Sequence, residues 1–203
     1  MKGGQTPFSK VKGVRPRFRD KEMKYYQTIM LKNGKEALIR NGDVSDGSAV
    51  FDVFNRSHEE TDYLLSYPDE NSFDPDQEAQ FLKEKAMSSN EIELIAIVDG
   101  KIAGTAGIEA VGKKYKVKHR AVFGISVLKE YWGLGLGKAL TKACIQCARD
   151  AGYDQLELDV VAENEKALSL YRSLGFVEYG RNPRGFKSRT SGYQELVYMM
   201  LEL

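Results

Sequence analysis

The chain has 203 residues, 42% hydrophobic and 29% charged, with a net charge of +1. That is the composition of an ordinary globular protein with enough chain for one good core. No apolar run approaches the ~18 residues of a membrane span, and the charged start lacks the apolar stretch of a secretory leader.

Residues 1–34 are basic, rich in Gly and Pro, and without clear periodicity, so they read as a flexible N-terminal extension, in part of vector origin, with Met23 and Met30 as alternative starts. The charge is concentrated there: residues 1–35 hold ten Lys and Arg against Asp20 and Glu22. Such an arm can meet nucleic acid, but a solvated tail has the same composition, and nucleic acid is not the expected partner.

Glu36–Arg40 reads as a short strand with Asn41-Gly42 as its turn. Ser45 or Asp46 caps a helix to about Glu60 through Ala49, Val50, Val53 and Phe54. A polar, aromatic loop runs from Thr61 to Phe73. Asp74-Pro75 then opens a second helix, reaching about Ser88, with proline in its first turn. Glu91–Val98 is a strand, Asp99-Gly100 a favoured hairpin turn, and Lys101–Val111 the partner strand. After a basic connection, a further strand spans Ala121–Leu128. A glycine turn follows, then a helix to Ala151-Gly152 in which Leu136, Ala139, Leu140, Ala143 and Cys144 recur at helical spacing. Gln155–Val161 alternates like a strand. Asn164–Leu174 is a helix with Ala167, Leu168, Tyr171 and Leu174 on one stripe and Gly175 as its C-cap. Phe176–Gly180 is a strand, Arg181–Gly192 a basic loop, and Tyr193–Leu203 the last strand.

The two cysteines, Cys144 and Cys147, have the spacing of a redox or zinc pair. They lie mid-helix rather than at a helix start, where a thiolate would be favoured. With only His58 and His119 as histidines, no second ligand pair completes a zinc site. Small buried residues in a reducing cytoplasm are the expectation, with no metal.

Gly133, Gly135 and Gly137 mark a strand-to-helix turn. Glycine there allows positive φ and close approach of a ligand, and the amides of a helix start suit a phosphate. A Walker A loop would need glycine where Trp132 stands and a hydroxyl where Ala139 stands. A dinucleotide fingerprint starting at Gly133 or Gly135 would need glycine at Lys138 or Leu140. Both readings fail. The remaining pattern, Gly135-x-Gly137 at a β-to-α turn, resembles the pyrophosphate loop of the GNAT superfamily of acetyl-CoA-dependent N-acetyltransferases, with Trp132 at that family's usual Gln or Arg position. Asn164, Ala167, Tyr171, Gly175 and Phe176 are similar at every marked position to the family's Asn-to-Phe segment.

The resemblance covers residues 35–203. It implies an α/β (α+β) fold, with a mixed, mostly antiparallel central sheet of about six to seven strands flanked by about four helices. It also implies an acyltransferase that moves acetyl from acetyl-CoA to a primary amine of a small molecule or a peptide. Two copies often pair in such domains, so a homodimer is one of the oligomeric states the resemblance leaves open. The cofactor residues implied are Ser126, Val127 and Leu128 along the pantetheine arm, Gly133, Leu134, Gly135, Leu136, Gly137 and Lys138 at the pyrophosphate, and Asn164 and Lys166 beyond it. Tyr171 takes the general-acid position. The acceptor amine, with a lysine-like pKa of ~10.4, must lose a proton. The strand before the glycine turn carries no carboxylate, so Glu109 is the first candidate base and Glu195 the second, and a water relay with no dedicated carboxylate stands equal to them. The helix-loop-helix segment from near His58 to Phe73 and the Arg181–Gly192 loop are expected to build the acceptor site.

Overall fold

A computed structural model describes residues 22–203. Its strands are β1 Tyr26–Met30, β2 Glu36–Asn41, β3 Ile92–Val98, β4 Lys101–Ala110, β5 Arg120–Val127, β6 Gln155–Val161, β7 Val177–Ser188 and β8 Gly192–Glu202. Its helices are α1 Gly47–Glu60, α2 Pro75–Met87, α3 Leu136–Ala151 and α4 Glu165–Ser173. The strands form one sheet in the order β1-β2-β3-β4-β5-β6-β8-β7. Every pairing is antiparallel except β5 with β6.

Eight strands exceed the expected six to seven. The extra one, β1, lies in the segment read as an extension; residues 1–21 fall outside the described residues. Tyr26–Met30 pairs with Arg40–Glu36, and the Asn33-Gly34 turn closes the hairpin. Four of the five β1 residues are exposed, so this edge strand carries no alternation a sequence reading could detect. The Arg181–Gly192 loop is the second correction: β7 continues to Ser188, and only Arg189–Ser191 turn the chain. Pro183 falls where the β7–β8 register shifts, between Asn182 and Phe186, on an edge strand where proline removes no ladder bond.

Strand alternation divides the sheet into unequal faces. Ile92, Leu94, Ala96 and Val98 of β3 face one way, into a large core with Leu136, Leu140 and Ala148 of α3 and Leu168 and Tyr171 of α4. Glu93, Ile95 and Ile97 face the other way. Beneath α1 and α2 only Val50, Leu82 and Ile95 are fully packed, a small cluster that leaves the rest of this face open. Leu82 is fully buried there. Leu82→Ala is expected to cost about 2–5 kcal/mol, read as a lower denaturant midpoint at unchanged m.

Helix starts follow their residues. Asp74 accepts from the Gln77 amide while the Gln77 side chain returns a bond to the Asp74 amide, with Pro75 in the first turn. Asp46 stands at the N-cap of α1 as expected, but its side chain makes no cap bond there and instead closes a capping box with Asp43 around the preceding 3₁₀ turn.

Candidate active site

β5 and β6 are side by side only where Arg120–Val122 meets Gln155–Glu157. Beyond that, β5 stays on β4 through Val127 and β6 stays on β8 through Val161. A wedge therefore opens between the two strands, with β5 leading straight to the glycine turn. The antiparallel ladder sets which main-chain groups face it. Leu128 N–H donates to Ala103 O, and Val111 N–H to Arg120 O. Even-numbered β5 residues thus turn their amides and carbonyls to β4, and the odd-numbered Phe123, Ile125 and Val127 turn theirs to the wedge. Of the three residues expected along the pantetheine arm, Val127 faces it, while Ser126 and Leu128 are engaged with β4. Phe123 and Ile125 were missed, although the parity of the hairpin register could have found them.

Gly133 and Gly135 have φ of 75° and 95°, the left-handed region that side chains resist. Gly135 is the N-cap of α3, and no side chain caps that start. The first-turn amides of Leu136, Gly137 and Lys138 lack an intrahelical partner by geometry and carry the positive end of the helix dipole. Lys138 is exposed on the same turn. The Leu134 carbonyl accepts from Lys32 N–H, which fixes the turn against the β1–β2 hairpin. Trp132, at the usual Gln or Arg position, donates its indole N–H to Val127 O at 2.6 Å. It thereby ties the turn to a carbonyl on the wedge side.

Across the wedge, Asn164 caps α4 by accepting from Ala167 N–H at 3.2 Å, and Lys166 is exposed in the first turn. Tyr171 is buried between Phe123 and Phe176, at ring-centre distances of 6.2 and 5.8 Å. Burial, and then the Asp159 carboxylate, push its phenol above the ordinary tyrosine range. The phenol is therefore held in its protonated form.

On the opposite face, beneath α1 and α2, lies a cavity of about 610 Å³. Phe54, Phe73 and Phe81 form apolar wall, and Gly124, Ile125 and Ser126 bring β5 into its floor. Glu109 lines it too, held by Lys85 Nζ at 2.7 Å; the same ammonium bonds Glu91 at 2.8 Å. Ser126 Oγ donates to Ser57 Oγ at 2.7 Å. The neighbouring His58 has Nδ1 2.7 Å from Phe54 O, a distance that places the proton on Nδ1, and burial lowers its pKa. Glu93 and Glu78, both unremarked in the sequence, also line the cavity. Burial raises each carboxyl above its ordinary value, Glu93 to about 8.

The loop after α1 lines the cavity through Leu64, Leu65, Ser66 and Glu70 to Phe73, while its acidic side chains are largely engaged elsewhere. Asp62 accepts from Ser188, Tyr67 and Ser191 at 2.6, 2.9 and 3.1 Å. Asp69 and Glu70 pair with Arg189. Much of its charge locks the loop to the β7–β8 hairpin. Glu195 is engaged as well, by Arg181 at 2.8 Å. Cys144 and Cys147 are buried free thiols, and burial pushes Cys147 up to about 12.

The profile of the acetyltransferase (GNAT) family matches residues 50–176, which span the cavity helices, the wedge, the glycine turn and α4. The chain belongs to the GNAT acetyltransferase family. An acetyltransferase of that family from Streptococcus pneumoniae shares the fold, with a TM-score of 0.78 and 31% identity over 82% of this chain and 99% of that one. The YncA acetyltransferase of Salmonella typhimurium, solved with its cofactor acetyl-CoA, shares the fold at a TM-score of 0.72 and 21% identity, over 82% of this chain and 94% of its own. Human N-acetyltransferase 8B is 36% identical over 89 residues, 43% of this chain and 39% of that protein's length. No helix among the described residues is long and apolar enough to cross a membrane.

Proposed function

We propose that this GNAT protein is a cytoplasmic N-acetyltransferase that transfers acetyl directly from acetyl-CoA to a primary amine of a small molecule or a peptide. The observation that carries this is the wedge, which joins the uncapped start of α3 on one side to the cavity on the other. The pyrophosphate lies on the amides of Gly135 to Lys138, with Lys138 adding charge. The pantetheine arm pairs with the wedge-facing main chain of β5, and a backbone N–H there polarises the thioester carbonyl. Asn164 and Lys166 border the cofactor on α4. The amine enters through the cavity, and Tyr171 gives its proton to the departing thiolate. A cation that lacks aromatic or aliphatic body would leave Phe54, Phe73 and Phe81 uncovered, so amines with an apolar substituent are favoured.

The test is thermal unfolding with excess acetyl-CoA, then a panel of amines with free-thiol detection. At ~100 times its Kd the ligand stabilises the fold by about 2.7 kcal/mol. An unmoved melting point sinks the proposal. A second reading, an acetyl-CoA-binding module without turnover, draws on Trp132 occupying Val127 O; it predicts a shifted melting point and no thiol release from any amine.

A further inference from the structure

The acceptor must lose a proton before it can attack, and the strand leading to the glycine turn offers no carboxylate. A cross-strand row on the cavity face supplies one. Glu93 of β3 pairs with Gly107 of β4, and Gly107 pairs with Gly124 of β5. A Cβ on Gly107 would fall 2.0 Å from Glu93 Oε2, so the carboxylate lies directly over that glycine. Over Gly124 a Cβ would meet nothing within 4 Å. Neighbouring strands are ~4.8 Å apart, so the space above Gly124 is within hydrogen-bonding reach of a carboxylate over Gly107. Gly124 also stands two residues beyond the last β5–β6 pair at Val122, at the edge of the wedge. An amine there has the carboxylate on one side and the wedge on the other.

We propose that Glu93 is the catalytic base that takes the proton from the incoming ammonium, which is bound over Gly124 in the gap that Gly107 and Gly124 leave open. This rests on the acetyl-transfer reading above. The ammonium gives one proton to Glu93, which releases it to water after turnover. The neutral nitrogen forms the new bond to the thioester carbon, and the C–S bond breaks. Sulfur takes the Tyr171 proton, and the phenol recovers the second proton lost by nitrogen.

The surroundings suit this task. Thr105 donates a hydrogen bond to the Glu93 carboxylate. From α2, Glu78 repels its charge and Lys85 favours it, and from β4 Glu109 repels it. From α3, on the far side of the sheet, Cys144 feels its charge and stays a neutral thiol. His58 of α1, Glu70 before α2 and Asp159 of β6 face the same cavity. Glu109 is the weaker candidate because Lys85 already occupies its carboxylate. Glu93 retains some open surface only because the cavity reaches it.

The test uses the full chain, with phenethylamine and a short peptide with a free amino terminus as probe amines, and three readouts. Carbon-13 NMR of the glutamate carboxyls, with Glu93 assigned by its absence in Glu93→Gln, should show it titrating near 8. The wild-type kcat/KM should rise with pH and level above that value, since only the ionised form accepts a proton. Glu93→Gln should lose ~10²–10⁴-fold in kcat and, with phenethylamine, have its acidic limb moved up toward the pKa of the amine itself, ~10, while keeping the acetyl-CoA-induced shift in melting temperature. Glu78→Gln should move the limb to lower pH by removing a repelling charge. A Glu93 resonance titrating below about 6, or Glu93→Gln within about threefold of wild type with its acidic limb intact, overturns the proposal. Wild type that shows no acetyl-CoA shift overturns the acetyl-transfer reading and this proposal with it. A normal shift with an unimpaired Glu93→Gln overturns this proposal alone.

Discussion

Gly137→Asp is expected to leave the protein as stable as before and to abolish useful binding of acetyl-CoA. Gly137 is the second residue of α3 and its φ is not positive, so the backbone itself does not require glycine. A Cβ there would meet only Leu170 Cδ2, at 3.7 Å, an ordinary contact. Replacing a helical glycine by aspartate gains about 0.3 kcal/mol in propensity, and an acid in the first turn of a helix gains about 0.3–1 more. If this glycine served only the fold, the variant would be neutral or better. A carboxylate about 4 Å from a pyrophosphate oxygen repels it by ~4 kcal/mol at an effective dielectric of 20, roughly a thousandfold in Kd. Calorimetric titration with acetyl-CoA and a melting curve on the same sample separate the two effects. A Kd within threefold of wild type would remove the glycine turn from the cofactor site.

That contrast also explains which parts of the protein were legible in its sequence. Local chemistry was readable. Asp74, Pro75 and Gln77 carry the start of α2 within four residues, and Asp99-Gly100 turns with φ of 50° and 76° as such a pair should. Asn164 caps α4 where its segment put a helix start. The glycine turn was readable because Gly133 and Gly135 adopt conformations that almost any other residue resists. Edges were not readable. β1 pairs with one neighbour and exposes both faces, and β7 tolerates Pro183 because one of its sides faces solvent.

The chemistry of the cavity was the least legible, for a physical reason. Glu93 heads an otherwise apolar run, Leu94 to Val98, which reads as a strand covered on both faces, but the local sequence does not tell what lies over its carboxylate. Its surroundings come from Gly107 beside it and from Glu78 and Lys85 of α2, partners supplied by pairing and packing across distant sequence. Glu109 shows the same principle in reverse. It was chosen for its strand and its charge, and it does face the cavity, but Lys85, 24 residues earlier, bonds its carboxylate. In the same way, Asp62 reads as substrate-directed charge until Ser188, more than a hundred residues later, bonds it.

Tyr171→Phe is expected to lower kcat by ~10²–10⁴-fold with little change in the Kd for acetyl-CoA. The ring stays between Phe123 and Phe176, so its packing survives loss of the hydroxyl. Burial and Asp159 hold the phenol above the ordinary tyrosine value, so it stays protonated throughout the working pH range. Two consequences follow. First, Tyr171 adds no alkaline limb below about pH 10, and the wild-type profile should rise to a plateau rather than form a bell. Second, a thiol has a pKa of ~8.5, well below that of this phenol, so giving a proton to the thiolate and keeping the charge is uphill. The transfer becomes favourable only if the phenol recovers a proton from the attacking nitrogen, which bears one too many once the new bond forms. In the proposed mechanism Tyr171 would therefore relay a proton between nitrogen and sulfur, which Phe cannot do. Single-turnover thiol release across pH is the measurement: a uniform fall at every pH supports the relay. A loss confined to high pH would make the tyrosine an ordinary titrating acid, and unchanged turnover would remove it from the chemistry.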